Sequence, residues 1–117
     1  MNGLEDCVFC KIIAGEIPCD KVYENDRILA FRDIQPQAPV HILILPKRHM
    51  ESVLDLADLK TGLSANVIEA AAHIVRLERL EASGFRLLTN CGADAGQTVS
   101  HLHFHLLGGK QLTAPLA

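Results

Sequence analysis

No stretch of this sequence carries charge of a single sign. Its 11 basic and 14 acidic residues are scattered and leave a formal net charge of -3. A polyanion-binding protein needs a basic face, so a nucleic-acid backbone is not expected as the partner. Long apolar runs are missing too: nothing approaches the roughly 20 residues that a membrane span requires. The N-terminus lacks the basic-then-apolar pattern of a secretory signal and instead carries Glu5 and Asp6, so the expected compartment is the cytoplasm. Internal repeats, linkers and low-complexity segments are also missing. The 117 residues, 49% of them hydrophobic, therefore predict one globular domain spanning 1–117.

Cysteine is sparse. The four are Cys7, Cys10, Cys19 and Cys91. In a reducing compartment a Cys-x-x-Cys pair is more often a metal or redox site than a disulfide. Cys19 and Cys91 have no such partner and look incidental.

Hydrophobic spacing lays out the elements. Phe9, Ile12 and Ile13 predict a short helix over 7–17, ended by Pro18. Strands are expected at 22–24 and 28–32. Residues 40–45, apolar on both faces and stopped by Pro46, predict a central strand. Residues 61–82 predict the one long helix, with Leu63, Val67, Ala71, Ile74 and Val75 on its apolar stripe and Asn66, Glu69, His73 and Arg76 opposite. Further strands are expected at 85–90 and 98–107, with a loop at 91–97 between them. The sum is an α+β domain with an antiparallel sheet.

The chemistry sits in His101-Leu102-His103-Phe104-His105. On an extended chain, alternate side chains share a face. Three imidazoles therefore line about 13 Å of one side at ~3.3 Å per residue, and Leu102, Phe104 and Leu106 turn to the other. Such a row suits phosphate oxygens, a proton relay or a metal. Three imidazoles on one flat strand do not converge easily on a single ion, so a metal alone explains them poorly. A core strand gains nothing from three rings that titrate near neutrality.

His101-Leu102-His103-Phe104-His105-Leu106-Leu107 resembles the signature of the histidine triad superfamily. The likeness extends through Phe31-Arg32-Asp33-Ile34, Pro36 to His41, Pro46-Lys47-Arg48-His49, Asn90, Gly96-Gln97-Thr98-Val99 and Gly108-Gly109, all similar to the Hint branch. It covers roughly Cys7 to Gly109. The resemblance implies a five-stranded antiparallel sheet with one long and one short helix, and a homodimer. It implies hydrolysis of purine nucleoside phosphoramidates, with no cofactor required for catalysis. His103 would be the nucleophile. His105 would stabilise phosphate charge and His41 would complete the relay. His101 would also belong to the catalytic set, with a backbone carbonyl near it accepting the His103 Nδ1 proton and so fixing that ring's tautomer. Thr98 stands where serine is common and would hydrogen-bond a phosphate oxygen or the leaving amine.

The same resemblance gives Asp33 a ribose diol, against its ordinary use as a loop-capping residue. Phe9, Phe31, Ile34 and Leu43 would sandwich the purine, although by pattern they are core residues. Asn90, Gly96, Gln97 and Val99 would hold the phosphate and ribose region. Some relatives complete a structural zinc site whose counterparts here are Cys7, Cys10, His49 and His101; the alternative is a reduced cysteine pair. The tail from Lys110 to Ala117 has no aromatic residue to reach a substrate. Three other readings stand beside the phosphoramidase: an AMP-binding scaffold with vestigial hydrolysis, a zinc module for redox or assembly, and a dinucleoside polyphosphate hydrolase.

Overall fold

The computed structural model of the chain describes residues 7–113. A five-stranded antiparallel sheet is built from β1 (Lys21–Glu24), β2 (Ile28–Arg32), β3 (Val40–Pro46), β4 (Phe85–Leu88) and β5 (Phe104–Gly108), in the order β1-β2-β3-β5-β4. The helices are α1 (Val8–Ile13), α2 (Val53–Asp58) and α3 (Leu63–Leu77). The α+β antiparallel architecture is the one expected from sequence, with one short helix more. Among the described residues no helix is long and apolar enough to cross a membrane.

Two-residue alternation sorts the sheet into two apolar faces. Ile28, Ala30, Ile42, Ile44 and Leu106 are buried against Val67, Ala70, Ala71, Ile74 and Val75 of α3. Leu29, Phe31, Leu43 and Leu45 are buried on the opposite face with Cys7 and Phe9. This is why β3 is apolar apart from His41: it is a central strand covered on both sides. His41 and His105 keep step with Leu43, so both lie on the α1 side. The register pairs His41 with Leu107 and Leu43 with His105.

Several boundaries differ from the pattern. α1 ends at Ile13, not at Pro18, because Gly15 adopts φ +83 and turns the chain away first. α3 is shorter than 61–82. It starts after Gly62, stops at Leu77, and the chain reverses through Arg79 at φ +58. α2 escaped the sequence reading because six residues with one buried side chain, Leu56, carry no period; the Ser52 hydroxyl caps it by accepting the Leu54 N–H at 3.2 Å. Pro46 closes β3 as its last residue, where a missing N–H costs the ladder least.

The last strand matters most. It begins at Phe104 rather than residue 98, so two of the three triad histidines precede it. The backbone there is satisfied from outside the ladder. Leu102 N–H donates to Met50 O at 2.7 Å, and the Thr89 hydroxyl donates to His103 O at 2.7 Å. Thr89→Val should lower stability by about 1 kcal/mol, the net worth of one such bond. A denaturant midpoint unchanged in that variant would show the contact to be neutral.

Candidate active site

His101, His103 and His105 divide between two sites. His103 and His105 line a cleft of about 400 Å³. Its walls are apolar where α1 faces the sheet, with Phe9, Ile12, Phe31 and Leu43, and polar at Asp33 and Thr98. A slightly larger hollow of about 460 Å³ beside α2 contains neither histidine. Phe9 packs edge-on against Phe31 at 5.9 Å and His103 at 5.0 Å between ring centroids, so α1 walls both the apolar part of the cleft and the triad.

Hydrogen bonds assign the tautomers. His103 Nδ1 lies 2.8 Å from the carbonyl oxygen of His101. A carbonyl only accepts, so Nδ1 carries the proton and Nε2 keeps its lone pair. The Gln37 N–H donates to His41 Nδ1 at 3.0 Å. His41 therefore carries its proton on Nε2, 2.9 Å from His105 Nδ1. His105 Nδ1 accepts that proton, which leaves its Nε2–H as a donor. The Gln37–His41–His105 chain thus ends in a donor on His105, and the separate His101 bond leaves a lone pair on His103, on rings 5.1 Å apart.

Burial makes His41 and His105 less basic. It lowers the pKa of His41, with the Asp33 charge opposing. It pulls His105 down to about 4, helped by His103 and His41 and opposed by Asp33. Asp33 Oδ1 accepts the Gln35 N–H at 2.8 Å, the loop-capping role, while Oδ2 lies 3.4 Å from His41 Nε2. Asp33, His41 and His105 are close enough together to suggest a metal site. The Gln37 bond argues against one: a metal on His41 Nε2 would move the ring proton to Nδ1, against the Gln37 N–H.

His101 supplies the carbonyl that fixes the His103 tautomer from its backbone, while its side chain does not border the cleft. Its ring is fully buried and faces away from the cleft; Nε2–H donates to Pro46 O at 2.9 Å. The free Nδ1 lies 3.2 Å from Cys7 Sγ and 3.5 Å from Cys10 Sγ. His49 Nδ1 lies 3.2 Å from Cys10 Sγ. These four ligand atoms all fall within 4.8 Å of one another. Four donors at roughly 2.0–2.3 Å from a tetrahedral zinc would be separated by such distances. The Pro46 bond leaves His101 Nδ1 a lone pair toward the thiols, and the Cys10 N–H already donates to Cys7 Sγ at 3.1 Å. Burial first, then Cys7, raises the Cys10 pKa to about 12. The donor set fits zinc.

Other sequence candidates fall in two groups. Phe9, Phe31, Asp33, Ile34, Leu43, Thr98 and Val99 all border the cleft, although Ile34 is 94% exposed. Asn90, Gly96 and Gln97 do not border it. The Gln97 amide is spent on the loop: its oxygen accepts the Gly92 N–H, and its nitrogen donates to Glu51 O and Val99 O. Sequence reasoning missed Val8, Ile12, Ile17 and Cys19 as cleft walls. The i, i+4 spacing of Val8 and Ile12 was the available signal. It also missed Thr89, which no local pattern marks.

The HIT domain family matches residues 14–112. The purine nucleoside phosphoramidase of Escherichia coli K12 is 44% identical over 113 residues, covering 97% of this chain and 95% of that protein. A HIT family hydrolase from Legionella pneumophila superposes with TM-score 0.89 at 48% identity, covering 95% of this chain and 99% of that one. A HIT family hydrolase from Clostridium thermocellum gives TM-score 0.91 at 43% identity, covering 97% and 98%. The chain belongs to the HIT family.

Proposed function

We propose that this protein hydrolyses purine nucleoside 5′-phosphoramidates through a nucleotidyl-histidine intermediate on His103. The bond from His103 Nδ1 to the His101 carbonyl carries this reading, because it leaves Nε2 as a lone pair at the cleft. That nitrogen attacks the α-phosphorus as the P–N bond to the leaving group breaks, and the leaving nitrogen, protonated from solvent before the bond breaks, departs as the neutral amine. Water then attacks the same phosphorus, breaks the bond to His103 and gives the nucleoside monophosphate. His105 Nε2–H donates to a non-bridging oxygen, where charge builds in both steps. The Thr98 hydroxyl stands at the cleft for the phosphate or the amine.

The purine lies between Phe9 and Ile12 on one side and Phe31 and Leu43 on the other, and Asp33 takes the ribose hydroxyls. The name of the Escherichia coli relative supports the substrate class. The zinc reading is supported by the four-donor cluster. Cys7, Cys10, His49 and His101 would hold a closed structural ion, which has no open position for substrate. That ion would tie α1 to the segment carrying His103. The homodimer expected from the resemblance is supported by the outward stripe of Ala65, Ile68 and Ala72 on α3, where Ile68 is 57% exposed.

A substrate panel tests the activity. Adenosine and guanosine phosphoramidates should be cleaved, and dinucleoside polyphosphates should react far more slowly. Tight AMP binding with negligible turnover on every phosphoramidate would favour the scaffold reading. Preferential cleavage of the polyphosphates would overturn the substrate class.

A further inference from the structure

We propose that Asp33 is a positioning residue for the histidine pair as well as a ribose ligand: its carboxylate anchors His41, and through His41 it orients His105. The proposal rests on the function given above and adds a link between ribose recognition and the phosphate-facing imidazole.

The geometry comes from three strands. Asp33 follows directly on β2, and its N–H donates to His41 O at 2.9 Å, so its backbone is tied to β3. The side chain is fixed at its other oxygen by the Gln35 N–H. That leaves Oδ2 at 3.4 Å from His41 Nε2, beside the 2.9 Å contact from the same nitrogen to His105 Nδ1. One N–H therefore faces two acceptors, a carboxylate and an imidazole nitrogen. Only 4% of the His41 side chain is exposed, so water competes weakly for this proton. The Gln37 N–H blocks the opposite nitrogen, and His41 cannot answer by switching tautomer.

The charged and titratable groups around the pair can be named element by element. Asp33 follows β2. His41 lies on β3. His105 lies on β5, with His103 just before it. β4 offers Leu88 opposite His105, and α1 presents Phe9 to the neighbouring His103 ring. Among the described groups that shift these two rings, Asp33 supplies the negative charge. It opposes the loss of basicity that burial imposes on both. A ribose whose hydroxyls donate to this carboxylate would draw its charge away from His41. Nucleoside occupancy would then be felt at His105.

The test separates ribose binding from positioning. Asp33→Asn is compared with wild type on adenosine 5′-phosphoramidate and on its 2′,3′-dideoxy counterpart, which has no hydroxyls for Asp33 to bind. The expected result is a kcat loss of about tenfold on both substrates, less than the ~10²-fold that a 1 Å misplacement can cost. A rise in KM should be confined to the ribose substrate. Proton NMR should show the His41 and His105 rings titrating about one unit lower in Asp33→Asn, a tenfold change in proton affinity. Asp33→Glu keeps the charge and should return the rings toward wild type. If a ring stays neutral down to acid unfolding, the dideoxy rates decide alone.

An Asp33→Asn enzyme with wild-type kcat on the dideoxy substrate and unmoved ring titrations would overturn the proposal while leaving the phosphoramidase reading intact. Wild type inert on both substrates would instead overturn that reading, and the ring titrations would still decide the role of Asp33.

Discussion

His103→Ala should abolish phosphoramidate turnover, by at least ~10⁴-fold, while AMP binding changes little. The split follows from what the ring touches. In the proposed reading, substrate affinity would come from the apolar walls at Phe9, Ile12, Phe31 and Leu43 and from Asp33, none of which is lost with the imidazole. The ring would supply the proposed bond to phosphorus, a role no neighbour is placed to take over. His41 has its Nδ1 occupied by the Gln37 N–H. His105 spends its Nδ1 accepting from His41 and presents a donor. His101 faces the cysteines. Retained turnover in His103→Ala, measured beside isothermal titration with AMP, would refute covalent catalysis at this position.

Removing the metal should have the second large effect, on stability. Purified protein is expected to carry stoichiometric zinc by elemental analysis, and Cys7→Ser with Cys10→Ser should lose it. A ligand bound at ~1,000-fold over its dissociation constant stabilises by about 4 kcal/mol. For a domain of this size that is ~10–20 °C in Tm. Serine is an informative replacement at Cys7. The thiol also caps α1 by accepting the Cys10 N–H, and a serine hydroxyl preserves the cap while binding zinc poorly. The loss can thus be assigned to the ion. Activity should fall less than stability, since His101 holds His103 through a backbone carbonyl rather than through the metal. A metal-free protein whose Tm is the same in the double serine variant would establish a reduced thiol pair instead.

Much of this was legible in the chain. The alternation in residues 101–106 placed His103 and His105 on one side and Leu102 and Leu106 in the core, because side-chain direction in an extended segment depends only on spacing. The apolar run of β3 announced a central strand for the same reason. The stripe of α3 was visible because fifteen residues give enough turns for a period. What was not legible is tertiary. For His101 the alternation alone put the ring on the triad face; only the family resemblance paired it with Cys7, Cys10 and His49, which meet it from far along the chain. The start of β5 is set by Met50 and Thr89 capturing the backbone of residues 102 and 103. Gln97 looked available for a ligand, but its amide braces the loop it belongs to. α2 had too few residues for any period to show.

The central claim is a covalent bond between His103 and the nucleotide phosphorus. It is tested by mixing wild-type protein with excess adenosine phosphoramidate, quenching within the first turnovers in alkali, and mapping the peptides by mass spectrometry. The account predicts an adenylyl group on the peptide containing residues 101–105, localised by fragmentation to His103 and lost in His103→Ala. Full turnover with no adduct at any quench time, and solvent oxygen appearing in AMP with inversion at phosphorus, would contradict it.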